Sequence, residues 1–555
     1  MPDRSPSVKS MINKQILQGD YTVSSSCQQI FLPIDMGQII PPDDKVRLVE
    51  AMVNGLDLTE LYNSYGRVPK KTVTPRQMFM IVLFAFSKGI YSSRDIEEAC
   101  KENTRFMYLL AGKQAPDHTT IARFIDIHLS KCPKDVLAEF TTELYELGEI
   151  SGKTAFIDGT KMEAYANRYT FVWKRAVTTN KAKLANKAEL LVERIEATYA
   201  VNPECSISGR ISLRTLKKLR KELRIKKKNE SIEFVHGTGR RKTQLQKDIE
   251  ELEKIIDKLK DYIYKEYICG DERNSYSKTD HDATFMRMKD DYMRNGQLKP
   301  GYNIQHAVDS EYIVWVSSFC KATDTVTLIP FLKEMKDKLP FKYKEIIADA
   351  GYESEENYVY LEEEEQIAYI KPTNYEISKK RSYKTDISRR ENMEYNKERD
   401  CYICKAGKEL KAKGTHKRRS KTGYESSVTV YECSDCKGCP LKGRCIKGRN
   451  CKTPIEDRCK RIEVSKLMQE HRDKDLERIL SDYGCKLRMN RSIQVEGSFS
   501  NIKEAMGVRR FWHRGNENIL TVSILLALAN NINKLHQKIQ NNRTGTHLFE
   551  LKKVS

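Results

Sequence analysis

The sequence predicts a multidomain α/β protein built around a mixed sheet, and three observations carry that reading. Two short apolar runs, Thr154-Ala-Phe-Ile-Asp158-Gly and Lys344-Glu-Ile-Ile-Ala-Asp349-Ala-Gly, each close on an aspartate followed at once or soon after by glycine. Between them, Tyr302–Val308 and Tyr312–Phe319 alternate or run apolar around Asp309-Ser-Glu311, which is the pattern of a β-hairpin. Long charged stretches with few Gly or Pro residues lie on either side and read as helices. With 555 residues the chain is too long for one core, and about two to four domains are expected.

Hydrophobic residues make up 39% of the chain and charged residues 32%, a balance that leaves much solvated surface. There are 98 basic against 77 acidic residues, a net charge of +21, which favours a polyanionic partner, nucleic acid before an anionic membrane. The longest apolar run, Met78 to Phe86, falls far short of a membrane span, and the first thirty residues lack the apolar centre of a signal peptide. A cytoplasmic protein without membrane contact is expected. Of the 15 cysteines, seven (Cys27, Cys100, Cys132, Cys205, Cys269, Cys320 and Cys485) are scattered and read as reduced thiols.

Residues 1–45 are polar and irregular. Residues 46–150 read as helices: Pro75 opens a nearly all-apolar helix, Ser92-Ser-Arg-Asp95 has the form of a capping box, and Asp117 caps the helix that starts at His118. Three short helices with tight turns suit either a helix-turn-helix DNA-binding unit or a plain packing bundle. The sheet core takes 151–177 and 268–372. Its interruption, 178–267, reads as an inserted helical hairpin, with Leu245–Lys265 as one arm. Ser206 to Asn229 carries ten Lys or Arg, among them Arg210, Lys217, Lys218, Arg220 and Lys221, against the single acid Glu222. That tip is either a solvated face or a phosphate contact. After the Asp349 run come a helix with Glu355 and Glu356, then the strand Ile367–Ile370. Residues 373–465 form a basic, cysteine-rich insertion, 466–540 return to helix, and 541–555 are a tail.

Two carboxylates brought to one sheet edge repel unless a cation lies between them, and a divalent ion with oxygen ligands resolves the conflict. Glu496, in Arg491-Ser-Ile-Gln-Val-Glu496-Gly-Ser-Phe-Ser-Asn-Ile-Lys503, is the candidate third acid for a two-metal site. On a regular helix Ile493, Phe499, Ile502 and Met506 make an apolar stripe, while Glu496, Ser500 and Lys503 share another face. A surface glutamate on an amphipathic helix is the plainer alternative. Asp280 and Asp282 are rival carboxylates for which loop or supporting roles are expected. Arg509, Arg510 and Arg514 lie beside Trp512, either to hold DNA with the aromatic stacking on a base or to pack the helix end.

Segment 401–460 holds 16 Lys or Arg against 6 acids, and eight cysteines. Cys436-Lys-Gly-Cys439 followed by Cys445, with Cys404 as the fourth ligand, suits a tetrahedral structural zinc that ties down a stretch with little apolar core. Cys401 and Cys433 are alternative ligands.

Phe156-Ile-Asp158-Gly-Thr, Ser277-Lys-Thr-Asp280-His-Asp-Ala, Gly301-Tyr-Asn-Ile-Gln305, Ala348-Asp349-Ala-Gly-Tyr352 and the Glu496/Lys503 pair together resemble bacterial insertion-sequence transposases, in particular the insertion-sequence eleven-eighty-two type, over about residues 45–540. The resemblance implies an RNase H-like catalytic core with an N-terminal helical domain, an inserted helical arm and an inserted zinc module. It implies that Asp158, Asp349 and Glu496 bind two magnesium or manganese ions, and that the substrate is double-stranded DNA at the element's terminal inverted repeats and at a target. It further implies a homodimer on DNA and a nucleoid-associated bacterial location. Related hairpin-forming transposases carry a Tyr, Arg, Glu, Lys signature around the glutamate. Here Arg491 sits one place early, Ser492 fills its position and Met489 stands for the Tyr, which weighs against hairpin chemistry but not against metal-dependent cleavage. The alternatives are a domesticated, non-catalytic DNA-binding protein and a metal-dependent nuclease without strand transfer.

Overall fold

Asp158 and Asp349 are placed by one sheet. The computed structural model describes residues 36–66, 73–200, 212–236, 239, 241–271, 273–288, 296–448, 451 and 453–550; Cys27, Cys205, Arg210 and nearly all of the 1–45 segment lie outside them. The chain divides into Met1–Pro42, whose described residues 36–42 include the helical turn Met36–Ile39, and Asp43–Ser555, to which all that follows belongs.

Among the described residues the main sheet has six strands. β1 (Thr154–Glu163) pairs antiparallel with β5 (Leu298–Asp309) and parallel with β7 (Glu345–Ala348). Beyond β7 lies parallel β8 (Ile367–Ile370), and beyond β5 lies antiparallel β6 (Tyr312–Phe319), with β4 (Thr284–Arg287) on the first residues of β5. This mixed sheet fits an RNase H-like core. The expected hairpin is β5–β6, turning at Ser310 and Glu311, both at positive φ. One expectation is corrected: β1 does not stop at Asp158, which is the fifth of its ten residues. Only Thr154–Ile157 has β7 beside it, and β1 continues against β5 to Glu163.

Helices cover both faces. Helix α1 (Pro75–Ser87) is buried along almost its whole length and packs on the C-terminal helix α2 (Asn516–Gln540), which in turn lies on β6. Asn531 of α2 accepts from the Ile313 backbone N–H and donates to its C=O, both at 2.8 Å, so the helix satisfies the backbone of the edge strand it covers. The N-terminus of α1 is a capping box of Thr74 with Gln77. The box expected at Ser92 is not made: Ser92 starts the helix Ser93–Glu102 without a side-chain cap bond. Asp117 does cap His118–Arg123, accepting from Thr120 N at 2.8 Å.

Among the described residues the inserted arm has three helices rather than two, Lys174–Tyr199, Leu213–Asn229 and Gln244–Cys269, around a private core of Leu191, Ile195, Leu216, Leu219, Leu223 and Leu252. It is rooted in the two-stranded ladder of β2 (Phe171–Trp173) and β3 (Ser275–Ser277). The cysteine-rich insertion also differs from expectation. It is an antiparallel meander of β9 (Glu394–Asn396), β10 (Cys401–Ile403), β11 (Glu409–Arg419), β12 (Glu425–Cys433) and β13 (Arg461–Val464), with a small core of Met393, Tyr402, Leu410, Tyr431 and Val464. Val428-Thr-Val-Tyr431 supplies the β-branched and aromatic residues that a pleated surface favours.

Candidate active site

The register of the sheet brings the two aspartates together. Ile157 of β1 is level with Ala348 of β7, and one residue further each chain reaches its aspartate. Asp158 is buried, and its Oδ1 accepts from Gly159 N at 2.8 Å. Arg491 reaches them both: its Nη2 is 3.0 Å from Asp158 Oδ2 and 3.8 Å from Asp349 Oδ2. Its side chain is 13% exposed and its Nε is buried without a partner, so the guanidinium is committed to these two acids. A single cationic group thus offsets two carboxylates at one strand edge.

Behind the pair is a network the sequence did not disclose. Asp324, in the turn after β6, accepts from Asn303 Nδ2 at 2.7 Å and from Gln305 Nε2 at 3.0 Å through the same Oδ1. Tyr352 donates to Gln305 Oε1. Burial pushes the Tyr352 hydroxyl well above its ordinary value, and the charges of Asp324, Asp158 and Asp349 push it further while Arg491 opposes them. Asp324 is therefore a third acid in the field of this site. Its sequence context, Ala-Thr-Asp-Thr-Val before a helix, marks only a turn. Gly159 is needed for the close approach: a Cβ there would stand 2.1 Å from Gln305 Nε2 and 3.0 Å from Asn303 Oδ1.

The glutamate behaves differently. Ser492–Glu496 and Asn501–Ala505 are π-turns flanking one α-turn, Gly497–Ser500. A π-turn holds i and i+5 on one face, so it absorbs a residue. Arg491, five before Glu496, takes the angular place that a residue four before has in an α-helix, which explains how a residue one place early still reaches Asp158. The same widening moves the apolar stripe: Ile493 is 43% exposed, and Val495 is buried in its stead beside Phe499 and Ile502. Glu496 is exposed and accepts from Ser492 Oγ at 3.2 Å. Lys503 is half-buried. Among the described residues no three His, Cys, Asp or Glu side chains are gathered closely enough to hold a metal ion.

Two family models match the chain: a transposase DDE domain over residues 403–536 and a transposase domain (DUF772) over residues 34–126. Together they support an insertion-sequence DDE transposase. Neither is specific to the eleven-eighty-two type. The first match contains Glu496 and the cysteine cluster; Asp158 and Asp349 lie outside both. No curated protein matches the chain, and no solved structure does.

The segment after Lys503 serves first as a strap. Phe511 N donates to Glu163 O at 2.9 Å, and Arg510 donates to the carbonyls of Ala164 and Ala166, both at 3.3 Å. Arg514 Nε donates to Tyr165 O at 3.0 Å and lies over the Tyr165 ring. Trp512 stacks on Tyr91 with ring centroids 5.1 Å apart, so this aromatic is placed in packing against the N-terminal helices. Arg509 pairs with Glu504. Asp280 accepts from Tyr302 Oη at 2.8 Å, and Asp282 accepts from Asn516 N at 2.9 Å, which caps α2. Both rival acids are thus occupied in holding the strap's end.

The four cysteines assigned to zinc line one cavity but are not gathered closely enough to hold a metal ion. Cys404, Cys436, Cys439 and Cys445 line one cavity of about 20 Å³ together with Cys433 and Lys460. Lys460 N donates to Cys436 Sγ at 3.4 Å. Burial raises the Cys445 thiol, Lys460 draws it down, and the other three thiols raise it. Cys401 is buried on β10 and is not part of this lining. On the arm, Lys217, Lys218 and Lys221 are exposed on the side away from Leu216, Leu219 and Leu223, and Arg220 is half-buried at the edge of that apolar stripe. No helix of the described residues is long and apolar enough to cross a membrane.

Proposed function

We propose that this chain is the transposase of an insertion sequence, cutting DNA at the element's terminal inverted repeats and joining the ends to target DNA with Asp158, Asp349 and Glu496 as its acids. The observation that carries the reading is the aspartate pair fixed by strand register around a cationic group, on a mixed sheet, in a chain with two transposase-domain matches. The pair fits a divalent cation because it already holds Arg491 in that role. Two magnesium or manganese ions, when bound, supply Lewis acidity at the scissile phosphate. The chain's own residues do the rest. Asp158 and Asp349 present oxygens from fixed backbone, Arg491 releases them and turns to a phosphate, and rotation of the π-turn run brings Glu496 to the pair, with Lys503 on the DNA backbone. Lys217, Lys218, Arg220 and Lys221 meet phosphates further out, and Arg491, Arg509, Arg510 and Arg514 line the side nearer the site. Two copies hold the two ends.

Zinc in the meander belongs to the same proposal. What supports it is that Cys404, Cys436, Cys439 and Cys445 line one cavity, with the Lys460 N–H donating to Cys436 Sγ. Metal analysis then finds about one zinc per chain, lost in Cys436→Ser; a folded, metal-free wild type refutes it.

The deciding experiment is incubation of the purified protein with magnesium and DNA bearing the element's ends. Cleavage and joining by the wild type, and neither by a DNA-binding Asp349→Asn variant, is the expected result. Cleavage without joining means a nuclease. Binding without cleavage by the wild type means a domesticated binder.

A further inference from the structure

The strongest unassigned surface is the outer part of β11. Every residue from Lys411 to Lys421 is exposed, and the stretch holds Lys411, Lys413, Lys417, Arg418, Arg419 and Lys421 with no acid. Among the described residues, this strand beyond Lys411 has β12 on one side and no strand on the other. A bulge between Ala412 and Gly414 bends it away from the meander. Lys417 pairs across the ribbon with Glu425 at 3.2 Å, an exposed contact of little energetic weight. Lys413, Arg418, Arg419 and Lys421 make no ion pair among the described residues. Because side chains alternate along a strand, Lys417 and Arg419 face one side and Arg418 the other. A charge pattern that only soothed a sheet edge would need no more than this exposure. The ribbon has something more.

Its tip is fastened to the catalytic sheet. Thr422 Oγ1 donates to Glu356 Oε2 at 2.6 Å, and Tyr424 Oη donates to Glu355 Oε1 at 3.0 Å. Those two glutamates open the helix Glu355–Glu363, which directly follows the turn after Asp349. The two glutamates take the tip's hydroxyls and leave Lys413, Arg418, Arg419 and Lys421 without an ion pair among the described residues. A two-stranded ribbon fits a groove of duplex DNA, whose walls are phosphates on both sides, and this one has cations on both of its faces.

We propose that the β11–β12 ribbon is a DNA arm that lies along a groove of duplex DNA, with Lys413, Lys417, Arg418, Arg419 and Lys421 on the flanking phosphates and its tip anchored at Glu355 and Glu356 so that the duplex passes the strand edge carrying Asp349. The inference rests on the transposase reading and adds to it the element that sets the DNA path.

The test is titration of a fluorescein-labelled mixed-sequence DNA duplex with full-length protein over a series of salt concentrations. The quadruple variant Lys413→Gln, Lys417→Gln, Arg418→Gln, Arg419→Gln is expected to bind at least about tenfold more weakly at low salt. The slope of log affinity against log salt should fall in magnitude by about 3 to 4, the counterions of four phosphate contacts. Should that variant not fold, Arg418→Gln with Arg419→Gln is expected to lower the slope by about 2. A folded variant with wild-type affinity and slope overturns the arm, as does one that aggregates while its DNA affinity stays the same. These outcomes are separable from the larger reading: a wild type that binds but never cleaves, beside a variant with a reduced slope, defeats the transposase assignment and leaves the arm standing.

Discussion

The two aspartates and the glutamate occupy regions of opposite mechanical character. Asp158 stands on β1 and Asp349 directly follows β7, and the register of the paired, buried stretches Thr154–Ile157 and Glu345–Ala348 leaves the two no choice of neighbour. Glu496 stands on a run in which two π-turns flank a single α-turn, and it faces solvent. The strand half is finished before any ligand arrives. The helical half stores an adjustable turn beside the site, and Arg491 joins the halves by bonding across them. π-turns mark functional positions often because the extra residue is tolerated only where it is used. On the proposed function, the acid site closes from the helical side.

Replacing an aspartate should have the largest effect. Asp158→Asn or Asp349→Asn is expected to lower magnesium-dependent cleavage by at least about a hundredfold, since each removes a carboxylate that must stabilise charge in the reaction. Binding assays on the same proteins should show duplex affinity unchanged; a variant that still cleaves breaks the strand half of the comparison.

Arg491→Gln tests the joint. It leaves Asp158 buried beside a second carboxylate without its cation, at a cost of about 3 kcal/mol. Melting with and without magnesium reads this directly: the variant should melt lower than wild type in EDTA and regain more on adding magnesium. Equal response to magnesium in both proteins argues that the guanidinium does not hold the ion's place.

Asp475 tests how the helical half is seated. It lies on the helix Lys466–Leu480, fully buried, and its Oδ2 accepts from Ile370 N at 2.9 Å and Tyr358 Oη at 3.1 Å. Burial raises its carboxyl from 3.8 to about 7 despite those two donors. The folded value lies above the unfolded one, so the contribution to stability is full below the ordinary carboxylate range and is lost as pH rises toward about 7. Asp475→Asn keeps the acceptor and removes the titration. Denaturation from pH 4 to pH 8 should show wild type losing on the order of 3 kcal/mol that the variant retains. Parallel curves for the two proteins would remove Asp475 from the account.

Gly159→Ala is the mildest. Its Cβ forces the Gln305 amide out of the Asp324 network, and about 1 to 2 kcal/mol of stability should be lost. Cleavage should fall with it, because the residue follows Asp158 directly. An unchanged melting temperature would show that the network gives way freely.

The same contrast explains what the sequence disclosed. The strands of Asp158 and Asp349, the β5–β6 hairpin and the helix after Asp349 were legible because short apolar runs, alternating hairpin strands and Asp-Gly or Asp-Ser turns read the same wherever they occur. Only the length of β1 was misjudged, since an aspartate inside a strand looks like its end until its second partner, β5, is known. Along 491–506 the assumed period of 3.6 placed Ile493 inside and Arg491 out of step, and no composition signal announces a π-turn. Asp324 was hidden because its role depends on Asn303, Gln305 and Tyr352, residues brought together only by the sheet. Cysteine spacing gave the cavity around Cys436 but masked the meander, whose strands were visible in Val428–Tyr431. Trp512, read from its arginine neighbours, is held by Tyr91 from more than four hundred residues away.

The most direct test of the central claim, that Glu496 joins the aspartate pair when DNA and metal are bound, is cleavage by Glu496→Gln measured beside Asp158→Asn on DNA carrying the element's ends. The account predicts that both variants bind the DNA as wild type does and that both lose cleavage to the same degree. A Glu496→Gln protein that cleaves like wild type while Asp158→Asn is inert would contradict it, and would move the third acid from the helical run to the sheet, where Asp324 stands.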